Sequence, residues 1–220
     1  VLAYFRTDLL AMLWAVGQAP AVYAARSEQA SLNAETKRAA IGIEQVLKLA
    51  LATLPVVIIG VLGKEFIQGQ LRTIPVIATT TMLFGAALWY ADRRPTSNSA
   101  ITWQAAGIIG IAQAIALIPG TSRSGITITA ALMLGLSRVE AARFSFLLAI
   151  PTIAGAQLLL SLDLAEGNVE ADLVKVTAGA ALAGVSAYVG IHYFIRLVEK
   201  TGMLPYVVYR MLLGLVLFGL

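Results

Sequence analysis

Apolar stretches long enough to cross a bilayer recur along this chain, and they limit its fold more than any other feature. A spanning helix needs about 20 apolar residues. Runs of this kind cover residues 43–62, 74–91, 144–162, 174–195 and 205–220. The chain is 59% hydrophobic and 13% charged, against about 45–50% and about 25% in soluble domains. The alternating pattern of a membrane barrel is missing. The sequence therefore predicts an all-α polytopic membrane protein, with residues 1–220 forming one transmembrane domain.

The segments between these runs are polar or only weakly apolar. Residues 1–5 have the composition of the end of an apolar helix, and residues 9–25 predict a short or interfacial helix. We expect a basic loop over residues 26–38 and a connector over residues 64–73. Because the first residue is Val1 rather than Met and residues 1–5 resemble the end of a helix, we expect that N-terminal residues of a longer protein are missing here. No charged region accompanies these residues, so they are not predicted to be a signal peptide.

One polar stretch, residues 119–125 with the sequence PGTSRSG, interrupts an otherwise apolar segment at residues 103–136. Each unpaired polar group costs several kcal/mol in hydrocarbon, so polar residues at this depth indicate a functional site. The two apolar flanks are each shorter than the about 20 residues that a spanning helix needs. Half-length flanks with Pro and Gly at their junction predict a re-entrant helix–loop–helix, an arrangement that transporters use for sites at the membrane midplane.

The chemistry of this turn suits an anion. The second half-helix begins at the tip, where free N–H groups and the positive end of the helix dipole favour phosphate. Arg123 offers a planar fork for bidentate phosphate contact, and glycine permits positive φ and close backbone approach. The candidate phosphate ligands of the turn are Gly120, Ser122, Arg123, Ser124, Gly125 and Thr127. The alternative interpretation is a Pro-Gly turn with serine helix caps and an arginine that reaches the membrane interface.

Polar residues outside the turn leave more than one interpretation open. Gln113 would either link helices or line the site. Arg210, inside the last apolar run, would either reach the interface or supply a second phosphate contact. His192 has no Cys or carboxylate neighbours, which favours a packed or interfacial residue. Small residues within 174–195 predict close helix packing at Gly179, Ala183, Gly184 and Ala187.

Loop charges predict an orientation and exclude one class of partner. Basic loops are expected on the cytoplasmic side and the acidic loop 163–172 on the other. The basic loops contain Arg93 and Arg94, Arg138 and Arg143, and Arg196 and Lys200. This scheme requires residues 103–136 to enter and leave the membrane on one side. The formal net charge of +4 is too small and too dispersed for a nucleic-acid partner, and a chain without cysteine forms no disulfide.

Residues 110–127 carry a motif by which the chain resembles a known family. The stretch from Gly110 through PGTSRSGIT is similar to the PGxSRSGxT signature of the undecaprenyl-pyrophosphate phosphatase family, the bacitracin-resistance type. The similarity continues through residues 135–138, 144–151 and 205–210.

This resemblance implies a bacterial inner-membrane enzyme that removes the terminal phosphate of undecaprenyl pyrophosphate. It also implies two re-entrant pairs in an inverted repeat, a site that faces the periplasm, and a divalent cation, Mg²⁺ or Ca²⁺. Carried onto this sequence, Ser122 is the nucleophile or a phosphate ligand, Arg123 is the phosphate clamp, and Ser124 and Thr127 are further ligands. The family's Glu-rich motif with a His does not occur in the chain. Its metal-binding carboxylates are expected upstream of Val1, and this chain alone is then expected to be inactive.

Two rival functions fit the same residues. A transporter or flippase for an anionic lipid or phosphate compound would use the same re-entrant loop. The other rival is a membrane scaffold, in which Arg123 only pairs with another group of the same protein. The expected partners are the isoprenoid pyrophosphate lipid and the membrane, while a homodimer, the isoprenoid length and the choice of metal are left open.

Overall fold

The computed structural model describes residues 1–27, 33–96, 100–165 and 173–219, and within them it contains ten helices and no strand. This confirms the all-α prediction. The helices are α1 Arg6–Gly17, α2 Ala19–Ser27, α3 Ala34–Leu62, α4 Lys64–Gln70, α5 Ile74–Asp92, α6 Trp103–Ile115, α7 Arg123–Met133, α8 Arg138–Ala165, α9 Leu173–Thr201 and α10 Leu204–Phe218. Four of them, α3, α5, α8 and α9, are long and apolar enough to cross a membrane. The chain is a multi-pass membrane protein.

Helix boundaries differ from the predicted ones where local chemistry extends a helix beyond its apolar run. Asn33 caps α3, because its Oδ1 accepts a hydrogen bond from the N–H of Thr36 at 2.7 Å. The helix therefore begins well before residue 43. Pro55 lies inside α3 as predicted.

Several segments were predicted wrongly. Residues 26–27 and 34–38 of the predicted basic loop belong to α2 and α3, and the last predicted span, 205–220, corresponds to α10, which has only 15 residues and is not among the helices of membrane length. Residues 2–5 form a turn that leads into α1 rather than the end of a helix. The connector at 64–73 contains the helix α4, which has an acidic residue, Glu65, in its first turn. An acidic residue at that position favours a helix start through the helix dipole. The predicted acidic loop at 163–172 lies largely outside the described residues.

The pair α6 and α7 forms a helical hairpin whose two outer ends lie at the same end of the bundle. Ile101, just before α6, shares a cleft with Glu140 and Arg143 in the first turns of α8. Arg138, just after α7, pairs with Asp92 at 2.6 Å. With 13 residues in α6 and 11 in α7, the two helices are about 20 Å and about 17 Å long, too short to cross about 30 Å of hydrocarbon. This geometry agrees with a re-entrant hairpin that enters and leaves on one side.

The same end of the bundle collects other polar helix termini. Besides pairing with Arg138, the Asp92 carboxylate accepts a hydrogen bond from the N–H of Met203, before α10, at 3.0 Å. The end of α5, the start of α8 and the start of α10 therefore lie together, as the orientation from loop charge requires. Antiparallel packing of α5 and α10 follows, since α5 ends where α10 begins.

The hydrophobic core surrounds the hairpin. Ile109 of α6 and Leu148 of α8 are fully buried, and Ile128 of α7 is nearly so. By contrast, the predicted close packing of the small residues in α9 is wrong for the described part of the chain. A Cβ added at Gly179 or Gly184 would contact nothing within 4 Å, and α9 is largely exposed. An apolar helix face suits lipid as well as protein, so small residues alone do not fix a protein neighbour.

Candidate active site

The turn between α6 and α7 is held against the N-terminal half of α5. The hydroxyl of Thr80 lies 2.6 Å from the carbonyl oxygen of Pro119, and the hydroxyl of Thr81 donates to the carbonyl of Gly120 at 3.2 Å. Gly120 has a φ of +88°, and a Cβ there would overlap Thr80 and the backbone of Ile77. Only glycine therefore allows the turn to approach α5 this closely.

Ser122 occupies a strained position at the N-terminus of α7. Its φ of +66° lies in a region that costs a residue other than glycine about 1–3 kcal/mol. Its Oγ accepts a hydrogen bond from the N–H of Gly125 at 3.3 Å, and its side chain is exposed. Since the first N–H groups of a helix have no acceptor within the helix, those of Arg123 and Ser124 are available to an anion. Ser122 therefore caps α7, as the alternative interpretation of the turn predicted, while the two free N–H groups agree with the anion-site interpretation.

Arg210 reaches the turn from α10 and is 7% exposed. Its Nε donates to the carbonyl of Thr81 at 3.1 Å and its Nη2 to the carbonyl of Gly120 at 2.8 Å. Nη1 has no hydrogen-bond partner among the described residues and lies 2.8 Å from where a Cβ on Gly125 would be. Two of the three guanidinium nitrogens thus fix Arg210 in place, while the third points at the start of α7. Of the two interpretations of Arg210, the structure favours the one at the site over the one at the interface.

A cavity of about 430 Å³ opens beside the turn, between α5, α7, α9 and α10. At one end its wall is polar and consists of Thr81, Gly120, Ser122, Ser124, Gly125 and Arg210. The rest of the wall is apolar or aromatic and consists of Ile77, Leu88, Ile128, Phe194, Met203, Tyr206, Tyr209 and Leu213. The cavity therefore suits a molecule with an anionic head and a hydrocarbon body. Five of the predicted site residues, Gly120, Ser122, Ser124, Gly125 and Arg210, meet here.

The other predicted residues form a separate polar network on the opposite side of the turn. Nη1 of Arg123 donates to Oε1 of Gln113 at 3.3 Å and to the carbonyl of Ser145 at 3.5 Å. Nε and Nη2 of Arg123 have no hydrogen-bond partner in the described part of the chain. The guanidinium is thus anchored through one nitrogen, which leaves three N–H donors for a ligand.

Thr127 belongs to this network rather than to the cavity wall. It is 0% exposed, and its Oγ1 lies 2.9 Å from the carbonyl of Arg123 and 2.7 Å from Oγ of Ser145. In this arrangement the hydroxyl joins α7 to α8. Its role as a phosphate ligand stays a prediction.

Hydroxyl residues on neighbouring helices were missed by sequence reasoning. Thr80 and Thr81 hold the turn, while Ser145 and Thr152 hold the Arg123 network. The available signal was a hydroxyl inside an apolar span, where burial requires a partner. A threonine can satisfy its hydroxyl on its own helix, so the sequence did not distinguish these residues from others.

The described residues around the turn do not by themselves form a metal site. They include no group of three or more His, Cys, Asp or Glu side chains that could hold a metal ion, and no carboxylate lines the cavity. Divalent cations of the Mg²⁺ and Ca²⁺ type require carboxylate or carbonyl oxygens. His192 contacts the ring of Tyr4 at a centroid distance of 6.2 Å, which agrees with a packed residue.

Comparison with known proteins identifies the family of the chain and curated relatives, one of which is described here. Residues 1–216 match a family profile described as bacitracin resistance protein BacA. A protein of Alcanivorax borkumensis (strain ATCC 700651 / DSM 11573 / NCIMB 13689 / SK2), described as undecaprenyl-diphosphatase, is 48% identical over 220 residues. That alignment covers 99% of this chain and 78% of the relative. Both matches extend far beyond the PGTSRSG turn.

Proposed function

Because the chain belongs to the family of bacitracin resistance protein BacA, we propose that the full-length protein hydrolyses undecaprenyl pyrophosphate to undecaprenyl phosphate and inorganic phosphate. The relative described as an undecaprenyl-diphosphatase supports this activity at 48% identity. The observation that carries the proposal is the cavity beside the turn, because its polar and apolar ends match a pyrophosphate head and a prenyl chain. The transport alternative is not favoured, since the relative's description denotes hydrolysis.

The pyrophosphate lies against the N-terminus of α7. The free Nη1 of Arg210 approaches it from α10, and the free fork of Arg123 approaches it from the network side. Donors placed before the reaction stabilise the charge that develops on phosphoryl oxygens without reorganising. The prenyl chain lies along the apolar wall of the cavity, which includes Phe194 and Tyr206.

The reaction breaks the bond between the bridging oxygen and the terminal phosphorus. Either Oγ of Ser122 or a water molecule attacks that phosphorus, and prenyl monophosphate leaves with the bridging oxygen. If Ser122 attacks, its proton passes to the departing prenyl monophosphate, and Ser122 carries the phosphoryl group until water hydrolyses the phosphoserine. In both routes one water is consumed and one inorganic phosphate is released.

Phosphate release by the purified full-length protein in detergent tests this function. We expect release from the C55 and C15 isoprenoid pyrophosphates, and much slower release from inorganic pyrophosphate, which has no chain to occupy the apolar wall. Undecaprenyl phosphate should release none. Absence of phosphate release, combined with movement of the intact lipid across vesicles, would instead establish the transport function.

A divalent cation, Mg²⁺ or Ca²⁺, is part of this proposal and is supported by the family resemblance alone. We expect a chelator to abolish phosphate release and either ion to restore it. Full activity in excess chelator would contradict the requirement.

Replacement of Ser122 separates the two routes of attack. We expect Ser122→Ala to lower kcat by at least about 100-fold, because it removes the hydroxyl at the helix terminus. The matched control is Ser161→Ala, which removes an exposed hydroxyl that donates to the carbonyl of Gln157 on α8 at 2.8 Å. Full activity in Ser122→Ala would exclude Oγ as the nucleophile, and water would then attack directly.

The location of the site completes the proposal. The protein lies in the bacterial inner membrane, with the basic helix ends near Arg93 and Arg138 in the cytoplasm and the cavity open to the periplasm. A membrane-impermeant cysteine reagent tests this orientation, because the wild-type chain has no cysteine. Single cysteines introduced in place of Arg93 and Arg72 should report opposite faces.

A homodimer is a further proposal, which light scattering of the detergent complex would test.

A further inference from the structure

The side chain of Gln113 is enclosed by protein, and its hydrogen-bond partners are all protein groups. It is 0% exposed on α6, and Nε2 donates to the carbonyl of Ala52 on α3 at 3.3 Å. Its Oε1 accepts hydrogen bonds from Nη1 of Arg123 and from the hydroxyl of Thr152, both at 3.3 Å. The side chain therefore joins α3, α8 and Arg123 from a position without solvent access.

The orientation of this amide is fixed by its partners. The carbonyl of Ala52 can only accept, so the NH₂ group of Gln113 must face it. Arginine can only donate, so the amide oxygen must face Arg123. No other uncharged side chain of this length provides an NH₂ donor group and an oxygen acceptor on one planar amide. Glutamate would keep the acceptor but lose the donor to Ala52.

Close packing of α3 and α6 brings Gln113 within reach of Ala52. Gly110 lies one turn before Gln113, and a Cβ there would lie 2.6 Å from Cα of Ala52 and 2.7 Å from its carbonyl oxygen. The absence of a side chain at position 110 therefore allows the two backbones to touch. The amide of Gln113 is anchored to backbone, which moves less than a side chain.

We propose that Gln113 is a positioning residue, which holds Arg123 for the pyrophosphate without touching the substrate. The amide occupies Nη1 of Arg123, and the opposite edge of the guanidinium, Nε and Nη2, is left to bind phosphate oxygens. A free arginine loses considerable rotamer entropy when it binds, and this anchor removes part of that loss before the substrate arrives. This inference rests on the proposed function and differs from the predicted substrate-binding role of Gln113.

A double-mutant cycle between Gln113 and Arg123 tests the proposal. We expect Gln113→Leu to lower kcat/KM for C15 pyrophosphate by about 10- to 100-fold, because misplacement of a catalytic group by about 1 Å has effects of this size. In an Arg123→Ala background the same replacement should change kcat/KM by less than about 2-fold, since residues that act through one another are not additive. Gln113→Glu should lose at least as much as Gln113→Leu, because its carboxylate would pair with Arg123 and compete with phosphate.

The control is Gln157→Leu, the same replacement at an exposed glutamine of α8, which should leave kcat/KM unchanged. Equal losses from Gln113→Leu with Arg123 intact and in the Arg123→Ala background would overturn the proposal, since Gln113 would then act independently of Arg123. Unfolding of both Gln113 variants at the assay temperature would also overturn it and assign Gln113 a structural role.

Binding distinguishes failure of this inference from failure of the proposed function. The wild type, the two single variants and the double variant are titrated calorimetrically with a farnesyl methylenediphosphonate, whose carbon bridge cannot be hydrolysed. We expect Gln113→Leu to weaken binding when Arg123 is intact and not in the Arg123→Ala background. If the wild type binds this compound but releases no phosphate from C15 pyrophosphate, hydrolysis fails while the binding cycle still decides the role of Gln113.

Discussion

Replacement of Arg123 by lysine is expected to lower kcat/KM for an isoprenoid pyrophosphate by about 100- to 1,000-fold, although the positive charge is kept. Loss of a single preorganised donor to a developing oxyanion has an effect of this size. Arg123 contacts Gln113 and the carbonyl of Ser145 through Nη1 alone, and its Nε and Nη2, which have no hydrogen-bond partner among the described residues, are the proposed phosphate donors. A lysine has one nitrogen, so it cannot hold the anchor and present a planar fork at the same time.

The measurement is phosphate release by the wild type and by Arg123→Lys at matched concentration, together with the thermal midpoint of each protein in detergent. The control is Arg72→Lys, the same replacement at an exposed position between α4 and α5, which should keep full activity. Near-normal phosphate release by Arg123→Lys would refute the clamp role. A large fall in the thermal midpoint would instead indicate that Arg123 mainly stabilises the contact between α7 and α8.

Replacement of Gly120 by alanine is expected to destabilise the protein by about 3 kcal/mol or more and to abolish phosphate release. A residue other than glycine at a φ of +88° is strained by about 1–2 kcal/mol. The added Cβ would also overlap Thr80 and the backbone of Ile77 on α5, and overpacking adds about 1–3 kcal/mol. Since the Gly120 carbonyl binds both Thr81 and Arg210, its displacement would also release the arginine from its position.

Gly107→Ala provides the matched control for this prediction. Gly107 lies on α6 of the same hairpin, and a Cβ there would contact nothing within 4 Å. Alanine in a helix is favoured over glycine by about 1 kcal/mol, so this variant should be as stable as the wild type or slightly more stable. Equal thermal midpoints for Gly120→Ala and Gly107→Ala would contradict the close contact between the turn and α5.

The sequence predicted the parts of the fold that depend on local composition. The run at 74–91 corresponds to α5, and the half-length flanks of the PGTSRSG stretch correspond to α6 and α7. Packing partners were not predictable in the same way. Gly179 and Gly184 on α9 lie next to empty space, whereas Gly110 on α6 does pack against backbone. All are glycines in apolar helices, and nothing local distinguishes them.

The turn at 119–125 shows the same division within the candidate site. Its residue types alone indicated an anion site, since a buried arginine, hydroxyls and a helix N-terminus are costly in hydrocarbon without a ligand or a partner. The sequence also predicted positive φ and close backbone approach at its glycines, which holds for Gly120. Gly125 instead lies within α7 without a positive φ, and its closest neighbours are the side chains of Arg210 and Ser122. Both predictions need only the identity and order of neighbouring residues.

Only the tertiary structure decided which side of the turn each group faces. It placed Arg210 of α10 with Ser122 and Gly125 at the cavity, and it placed Arg123 with Gln113 and Ser145 on the other side. Those contacts join residues far apart in the chain, and they depend on how deeply each helix sits beside its neighbours. Composition sets the cost of burying a polar group, but the packing of helices determines which partner reduces that cost.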